Sequence, residues 1–364
     1  MSELLFADYV PKNLEPVNSI GAKWLRLLAA MPLEAVAGGK RVCVKMHLGG
    51  GTGFTTIHPF FTRKLIDRIK AAGARAVFIA DSPGSVATAS ERGYTAETVG
   101  CPLVSISGPD DRQVRLTPIQ PPFGAFREVE IGAAIAEAES LIDFSHIKGH
   151  GACGFGGASK NLSMGCVSQR SRGAIHALEG GLDWDRAKCS HCKVCAENCE
   201  NGAISFTEDG GFDVFYHNCK FCQHCVLICP EHAIRMLGGR YRDFQRGMAL
   251  TTQAVLAGFK PENRYFINLL MNITIFCDCW GMTTPNLVPD IGIFAGSDIV
   301  AIEQASLDMI REEKLIPGSL PAGWSLGASG HLFEKIHGKD PYAVIAFLHE
   351  LGLGGRDYTV RTMD

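Results

Sequence analysis

Eight of the fourteen cysteines fall into two runs of identical spacing. The first is Cys189-x2-Cys192-x2-Cys195-x3-Cys199. The second, Cys219-x2-Cys222-x2-Cys225-x3-Cys229, repeats it 30 residues later. Thiolates recurring every third residue on a short loop can wrap three corners of an iron–sulfur cubane, while the fourth cysteine turns away to a neighbouring cluster. The spacing therefore assigns Cys189, Cys192, Cys195 and Cys229 to one [4Fe–4S] cluster. Cys219, Cys222, Cys225 and Cys199 go to the other. Zinc ribbons pair C-x2-C knuckles across a longer gap, so this pattern disfavours zinc.

Each run leads through a helical turn to a strand starting at Ala203-Ile204 or Ala233-Ile234, an internal repeat. Between them, Ile204–Thr207 and Phe212–Tyr216 flank Glu208-Asp-Gly-Gly211 and predict a hairpin with a glycine turn. The repeat resembles the two-cluster bacterial ferredoxin domain over residues 185–237. It departs in one place: Glu200 stands where that motif carries proline, which loosens the turn and adds a carboxylate without removing a ligand.

Two further stretches carry chemistry of another kind. Lys45-Met-His47 runs into Leu48-Gly-Gly50-Gly51-Thr-Gly53. His146-Ile-Lys148-Gly-His150 runs into Gly151-Ala-Cys153-Gly-Phe-Gly156-Gly157, followed by Ser159, Lys160 and Asn161. In extended chain, residues two apart share a side, so Lys45 pairs with His47, and His146 with Lys148 and His150. Cationic side chains beside glycine turns with open N–H groups favour a small anionic substrate or cofactor. Solvated charges and plain turns are the alternative. Asp81-Ser-Pro-Gly84 suits a ribose hydroxyl, a metal or an Asx turn, and Ser297-Asp298 suits a helix N-cap.

Six cysteines lie outside the runs. Cys43 and Cys101 sit among apolar residues and are expected in the core, while Cys153 and Cys166 flank the Lys160-Asn161 segment. Cys277-Asp278-Cys279-Trp280 follows an apolar, strand-like stretch, so in extended form both thiols share a side. They could chelate a metal, join a further cluster or act as a redox pair, with Cys153 or Cys166 as added members.

The elements that must position these residues alternate strand and helix. Strands are expected at 41–46, 76–80, 103–106, 129–131, 140–144 and 290–295. Helices are expected at 59–72, near 87–97 and at 298–312. Such alternation predicts an α/β body with a mostly parallel sheet, interrupted by a small α+β dicluster unit. The organisation is 1–184 and 238–364 for the body and 185–237 for the insert. In parallel sheets ligands bind beyond the C-terminal ends of strands, where the Lys/His stretches lie.

Composition narrows the class. With 46% hydrophobic and 20% charged residues a core can form, and a net charge of −3 gives no global basic field for nucleic acid. The most apolar stretch, 266–277, is too short and polar to span a bilayer. The opening residues show no basic segment before an apolar one. The expectation is a soluble, cytoplasmic chain using its thiols for metals or catalysis.

The Lys-x-His-glycine strand end, Lys148-Gly-His150 through Lys160-Asn161-Leu-Ser-Met-Gly165, Cys277-Asp-Cys279 and Gly296-Ser-Asp-Ile-Val-Ala-Ile302 occur together. In this combination the chain resembles the uncharacterised iron–sulfur centre proteins, a domain of unknown function with an inserted dicluster ferredoxin unit. The resemblance implies oxygen-sensitive iron–sulfur clusters and a redox role, and names no substrate. The reading taken is an iron–sulfur oxidoreductase fed by a redox partner protein or low-potential donor. Lys45, Lys148, Lys160, Asn161, Gly50, Gly51, Gly156 and Gly157 would hold the anion. His47 or His150 would move protons, and Cys277 and Cys279 would be thiols or metal ligands. A non-catalytic electron carrier docking to a larger reductase is one alternative. A metal-dependent non-redox enzyme with structural clusters is another. A further metal or a flavin stays open, without a flavin fingerprint.

Overall fold

The computed structural model describes residues 1–199, 202–216, 218–219, 224–237 and 241–363. The assignments of Cys222 and Glu200 lie outside these.

The body is built on one eight-stranded sheet. In spatial order its strands are Tyr358–Thr362, Ser2–Asp8, Gly292–Gly296, Arg264–Leu270, Ser140–His146, Arg41–Lys45, Ala76–Asp81 and Leu103–Ser105. All neighbours run parallel except Gly292–Gly296, which is antiparallel to both of its partners. The fold is therefore α/β with a mostly parallel sheet.

Alternating side chains build a core on each face. From Arg264–Leu270, Tyr265, Ile267 and Leu269 join the helices Ile20–Ala30 and Pro59–Ala71. Phe266 and Leu270 face the helices Tyr241–Leu256 and Ile299–Asp308. Burial on both sides explains why these strands read as nearly continuous apolar runs. Trp24, fully buried, stacks on Phe144 with ring centroids 5.8 Å apart.

Three expectations need correction. The run at 290–295 does not continue the parallel series. It follows Arg264–Leu270 through a connection holding only a short 3-10 turn at Asp278–Trp280 among the described residues, and antiparallel neighbours need no crossover helix. Val129-Glu-Ile131 belongs to a separate hairpin, Val114–Phe123 with Phe126–Gly132, turned at Gly124 with φ +58°. The helix near 87–97 is three short turns, Pro83–Ala87, Ala89–Arg92 and Ala96–Val99, interrupted at left-handed Gly93 and the Thr95 capping box.

Gly181–Trp184, just before the expected start of the insert at 185, pairs with Ile234–Leu237, and within the insert Ile204–Phe206 pairs with Phe212–Val214, the hairpin read from sequence. The small cluster of Cys195, Ile204, Cys229, Ala233 and Ile234 is separate from the two body cores.

The glycine loop after Arg41–Lys45 is stitched to the turn carrying Cys277 and Cys279. Thr52 N–H donates to the Gly281 carbonyl at 2.7 Å, and Phe54 N–H to Thr283 Oγ1 at 2.9 Å. Gly51 has φ +51°, and a Cβ there would fall on the Gly281 carbonyl oxygen. Gly51→Ala should therefore destabilise the protein by about 1–3 kcal/mol, measured as a lower denaturant midpoint. An unchanged midpoint would show that the stitch contributes nothing.

Candidate functional site

The C-terminal ends of three adjacent parallel strands, Arg41–Lys45, Ala76–Asp81 and Ser140–His146, converge on one cavity of about 380 Å³. Its opposite wall is the helix Ala158–Ser163 and the turn at Asp278–Trp280.

Two buried aspartates organise this rim. Asp81 Oδ1 accepts from Lys45 Nζ at 3.0 Å, and Oδ2 lies 2.8 Å from both His47 Nδ1 and the donating Leu48 N–H. Asp278 Oδ1 accepts from Lys148 Nζ at 2.6 Å, while its Oδ2 is 2.9 Å from His146 Nδ1. Each Lys/His pair of the sequence thus clamps one carboxylate. Burial alone would raise both acids. The facing cations and hydrogen bonds outweigh it and hold both well below the usual carboxylate range.

These pairs correct the expected anion site. Lys45 and Lys148 spend their charge on aspartates inside the protein, and Lys148 does not line the cavity. Lys148 also donates to the Thr55 carbonyl at 3.0 Å. Gly51 is likewise outside, because it packs on Gly281. Asp81 makes no Asx turn, its carboxylate instead accepting from the remote Lys45 and the Leu48 N–H and facing His47. The other expected residues do meet at the cavity: Lys45, His47, Gly50, His150, Gly156 and Gly157, with Lys160, Asn161, Cys277 and Cys279.

Asn161 and Asp143 hold the helix against the sheet. Asn161 accepts from Lys45 Nζ at 2.8 Å and donates to Asp143 Oδ1 at 2.8 Å and to the Lys45 carbonyl at 3.0 Å. Burial outweighs the Ser145 hydrogen bond and the Lys45 charge at Asp143 and pushes its carboxyl up to about 8. Glu303 accepts from Ala158 N–H and Ser159 Oγ, both at 2.6 Å, and burial pushes it up to about 7.

Hydrogen bonds set the tautomers of two cavity histidines. His47 Nδ1 faces the Asp81 carboxylate and so carries a proton. In the neutral ring its Nε2, a buried atom without a hydrogen-bond partner among the described residues, then presents a lone pair. His150 Nδ1 is 3.1 Å from Ala152 N and 3.4 Å from Cys153 N, main-chain groups that can only donate. The proton of neutral His150 therefore sits on Nε2. His146 has oxygen acceptors at both ring nitrogens, Asp278 Oδ2 and the Met271 carbonyl at 2.6 Å. Burial followed by the Lys148 charge pushes its pKa down.

The cysteine pair meets for a reason other than the one expected. Asp278–Trp280 is a 3-10 turn, so Cys277 and Cys279 converge by curvature and are joined as a disulfide. Lys160 Nζ lies 3.4 Å from Cys277 Sγ and 3.3 Å from Cys279 Sγ. Donor atoms of His150, Cys277 and Cys279 all lie within 4.8 Å of one another, the grouping closest to a metal set in the body among the described residues. Cys153 and Cys166 do not line the cavity. Both are buried, and desolvation raises Cys153 to about 12 and Cys166 well above its ordinary value. Cys43 and Cys101 are core thiols raised by burial to about 12 and about 11.

Arg172 and His176 also line the cavity, one helical turn apart on Gln169–His176. Sequence reading missed them. The available signal was a basic helical face behind a Ser168 N-cap.

In the insert, Cys189, Cys192, Cys195 and Cys229 line one small cavity with Trp184, Phe206 and Ile234. Main-chain N–H groups point at their sulfurs, His191 at Cys189 (3.4 Å) and Ala233 at Cys229 (3.3 Å). In the other repeat, Ala203 points at Cys199 (3.2 Å). Cys199, Cys219 and Cys225 are half-buried.

A family model described as Domain of unknown function (DUF362) matches residues 42–308. Among curated proteins the chain is similar to pyruvate synthase subunit PorD of Methanocaldococcus jannaschii. They are 42% identical over 50 residues, 14% of this chain and 58% of that protein. It is also similar to NADH-quinone oxidoreductase subunit I of Pelobacter propionicus, 30% identical over 110 residues, 26% of this chain and 58% of that one. The chain thus spans little more than half the length of these relatives. Similar solved structures include the lactate racemase apoprotein of Thermoanaerobacterium thermosaccharolyticum, with TM-score 0.37, 14% identity, 74% of this chain and 51% of that one. A protein from Thermotoga maritima has TM-score 0.38, 10% identity, 72% of this chain and 52% of that one. Among the described residues no helix is long and apolar enough to cross a membrane.

Two predictions follow from the buried charges. Asp81→Asn leaves Lys45 buried without its counter-charge and should cost roughly 3–5 kcal/mol, read as a lower denaturant midpoint. A midpoint within error of wild type would mean that Lys45 finds another anion. Asp143 binds its proton more tightly folded (about 8) than at its ordinary value of 3.8. The native state holds the extra proton between these values, so stability should fall as pH rises through that window. Asp143→Asn should flatten that decline, and an equally steep profile would remove Asp143 as its source.

Proposed function

The chain belongs to the DUF362 family, and from that premise we propose that it is an iron–sulfur redox protein that delivers single electrons to the strand-end cavity of its α/β body. The observation that carries this reading is the gathering of Cys189, Cys192 and Cys195 from one repeat with Cys229 from the other around a single cavity.

The donor set fits a cluster. Its four thiol groups come from both repeats, apolar Trp184, Phe206 and Ile234 wall the space, and N–H groups face the sulfurs. Cys189, Cys192, Cys195 and Cys229 would hold one [4Fe–4S] cluster, and Cys199, Cys219, Cys222 and Cys225 the second. When bound, such clusters accept and release one electron at a time. The likeness to an oxidoreductase subunit supports a redox partner protein or low-potential donor.

The body's residues supply the rest. Lys45 and Asn161 hold the strand end and the cavity helix together. His47 offers a lone pair to accept a proton and His150 an N–H to donate one, so electron arrival can be matched by proton movement. Lys160 and the N–H groups near Gly50, Gly156 and Gly157 suit a small anionic substrate or cofactor. A body of this size with a formed cavity favours an oxidoreductase over a carrier alone.

Oxygen-free purification with iron and acid-labile sulfide analysis tests the proposal. About eight irons per chain are expected, with Cys195→Ser and Cys225→Ser each lowering the count to about four. Colourless protein binding zinc instead would overturn it.

A further inference from the structure

We propose that Cys277 and Cys279 form a reversible dithiol–disulfide centre that reduces a low-molecular-weight disulfide in the strand-end cavity. Its electron supply, but not its thiol chemistry, rests on the iron–sulfur reading.

The pair has three features that an inert disulfide would not need. The first is asymmetry: Cys279 is exposed and Cys277 is buried, so an incoming sulfur reaches Cys279. The second is a cation shared by both sulfurs, Lys160 Nζ at 3.4 and 3.3 Å. An ammonium so placed stabilises a thiolate, the reactive form. Burial also pushes the Lys160 pKa down, which makes it a readier proton donor.

The third feature is location. Asp278, between the two cysteines, is clamped by Lys148 and His146, so the turn is anchored while both sulfurs line the cavity. Trp280, next to Cys279, stacks on Phe276 with ring centroids 4.0 Å apart and meets Phe215 of the insert at 4.7 Å. Lys339 donates to the main-chain carbonyl of Cys219 at 2.6 Å, close by in the chain. The cysteine turn is therefore one of the places where the body touches the cysteine repeat.

A metal at His150, Cys277 and Cys279 fits less well. Main-chain N–H groups occupy His150 Nδ1, which leaves the proton on Nε2. Sulfurs joined to each other also offer no thiolate.

The chemistry balances. In the reduced pair, the Cys279 thiolate attacks a substrate disulfide, whose sulfur–sulfur bond breaks and releases one substrate thiolate. The Cys277 thiolate then attacks Cys279 of the mixed disulfide, releasing the second and closing the Cys277–Cys279 bond. Two protein sulfurs are oxidised and two substrate sulfurs reduced. Reopening the bond takes two electrons, supplied singly by a low-potential donor protein, and two protons, one of them from Lys160.

The test uses oxygen-free full-length protein equilibrated in mixtures of reduced and oxidised dithiothreitol. It is then acid-quenched, alkylated and read by mass spectrometry of the peptide containing residues 277–279. The expected result is reversible passage between unalkylated and doubly alkylated peptide. In the reduced protein Cys279 should be alkylated faster than Cys277, and Lys160→Met should slow that step roughly tenfold at neutral pH. Lys160→Arg should restore most of it. Cys277→Ser should trap a mixed disulfide at Cys279 with the chromogenic reagent dithionitrobenzoate. A pair that never changes state, a stoichiometric metal released only with its alkylation, or a rate indifferent to Lys160→Met would overturn the proposal. Iron analysis of the same samples separates the two readings: iron-loaded protein with an inert pair sinks only this inference. Iron-free protein with a cycling pair sinks only the iron–sulfur proposal.

Discussion

A carboxylate buried beside a lysine and a histidine occurs twice at the strand ends, and the rest of the site depends on it. Alone in the interior, Asp81 and Asp278 would be driven to protonate. Clamped by Lys45 with His47 and by Lys148 with His146, they stay charged and tie together chain segments remote in sequence. The Asp81 clamp joins two parallel strand ends, and the Asp278 clamp fastens the cysteine turn to a third. The energetic consequence is rigidity where a cavity must remain open. The chemical consequence is that two of the three lysines in these motifs are neutralised within the protein.

A second layer fixes the helix that closes the cavity. Asn161 bridges Lys45 and Asp143, while Glu303 receives the first N–H and the first hydroxyl of that helix. Both acids end up raised, because burial outweighs their hydrogen bonds and, for Asp143, the nearby Lys45 charge as well. The same chain thus holds two acids kept low and two raised within one region, according to whether cations and hydrogen bonds outweigh burial. The remaining lysine, Lys160, is left to face sulfur.

The insert is organised on another principle. Its apolar cluster is small and made partly of cysteine, so it has little hydrophobic core of its own. Its contacts with the body include Phe215 on Trp280 and Lys339 on the Cys219 carbonyl, which bring the cysteine repeat beside the Cys277–Cys279 turn. That adjacency makes one reading of two otherwise separate cysteine chemistries.

Local pattern was enough for the repeat, for the helix Pro59–Ala71, for the Asp298 cap and for most strands, because spacing, caps and apolar runs act over a few residues. It also located much of the cavity rim, since strand ends followed by glycine turns are where parallel sheets bind ligands. It missed the edge strand Tyr358–Thr362 and its inner neighbour Ser2–Asp8, whose pairing joins the two ends of the chain, and it misplaced Val129-Glu-Ile131. Only the tertiary structure decided which charges remained free. Lys45 and Asp81 are 36 residues apart and Lys148 and Asp278 are 130 apart, so no window of sequence records that they neutralise each other. A side chain's identity is local, but the partner that determines its charge, tautomer or reach is supplied by the fold.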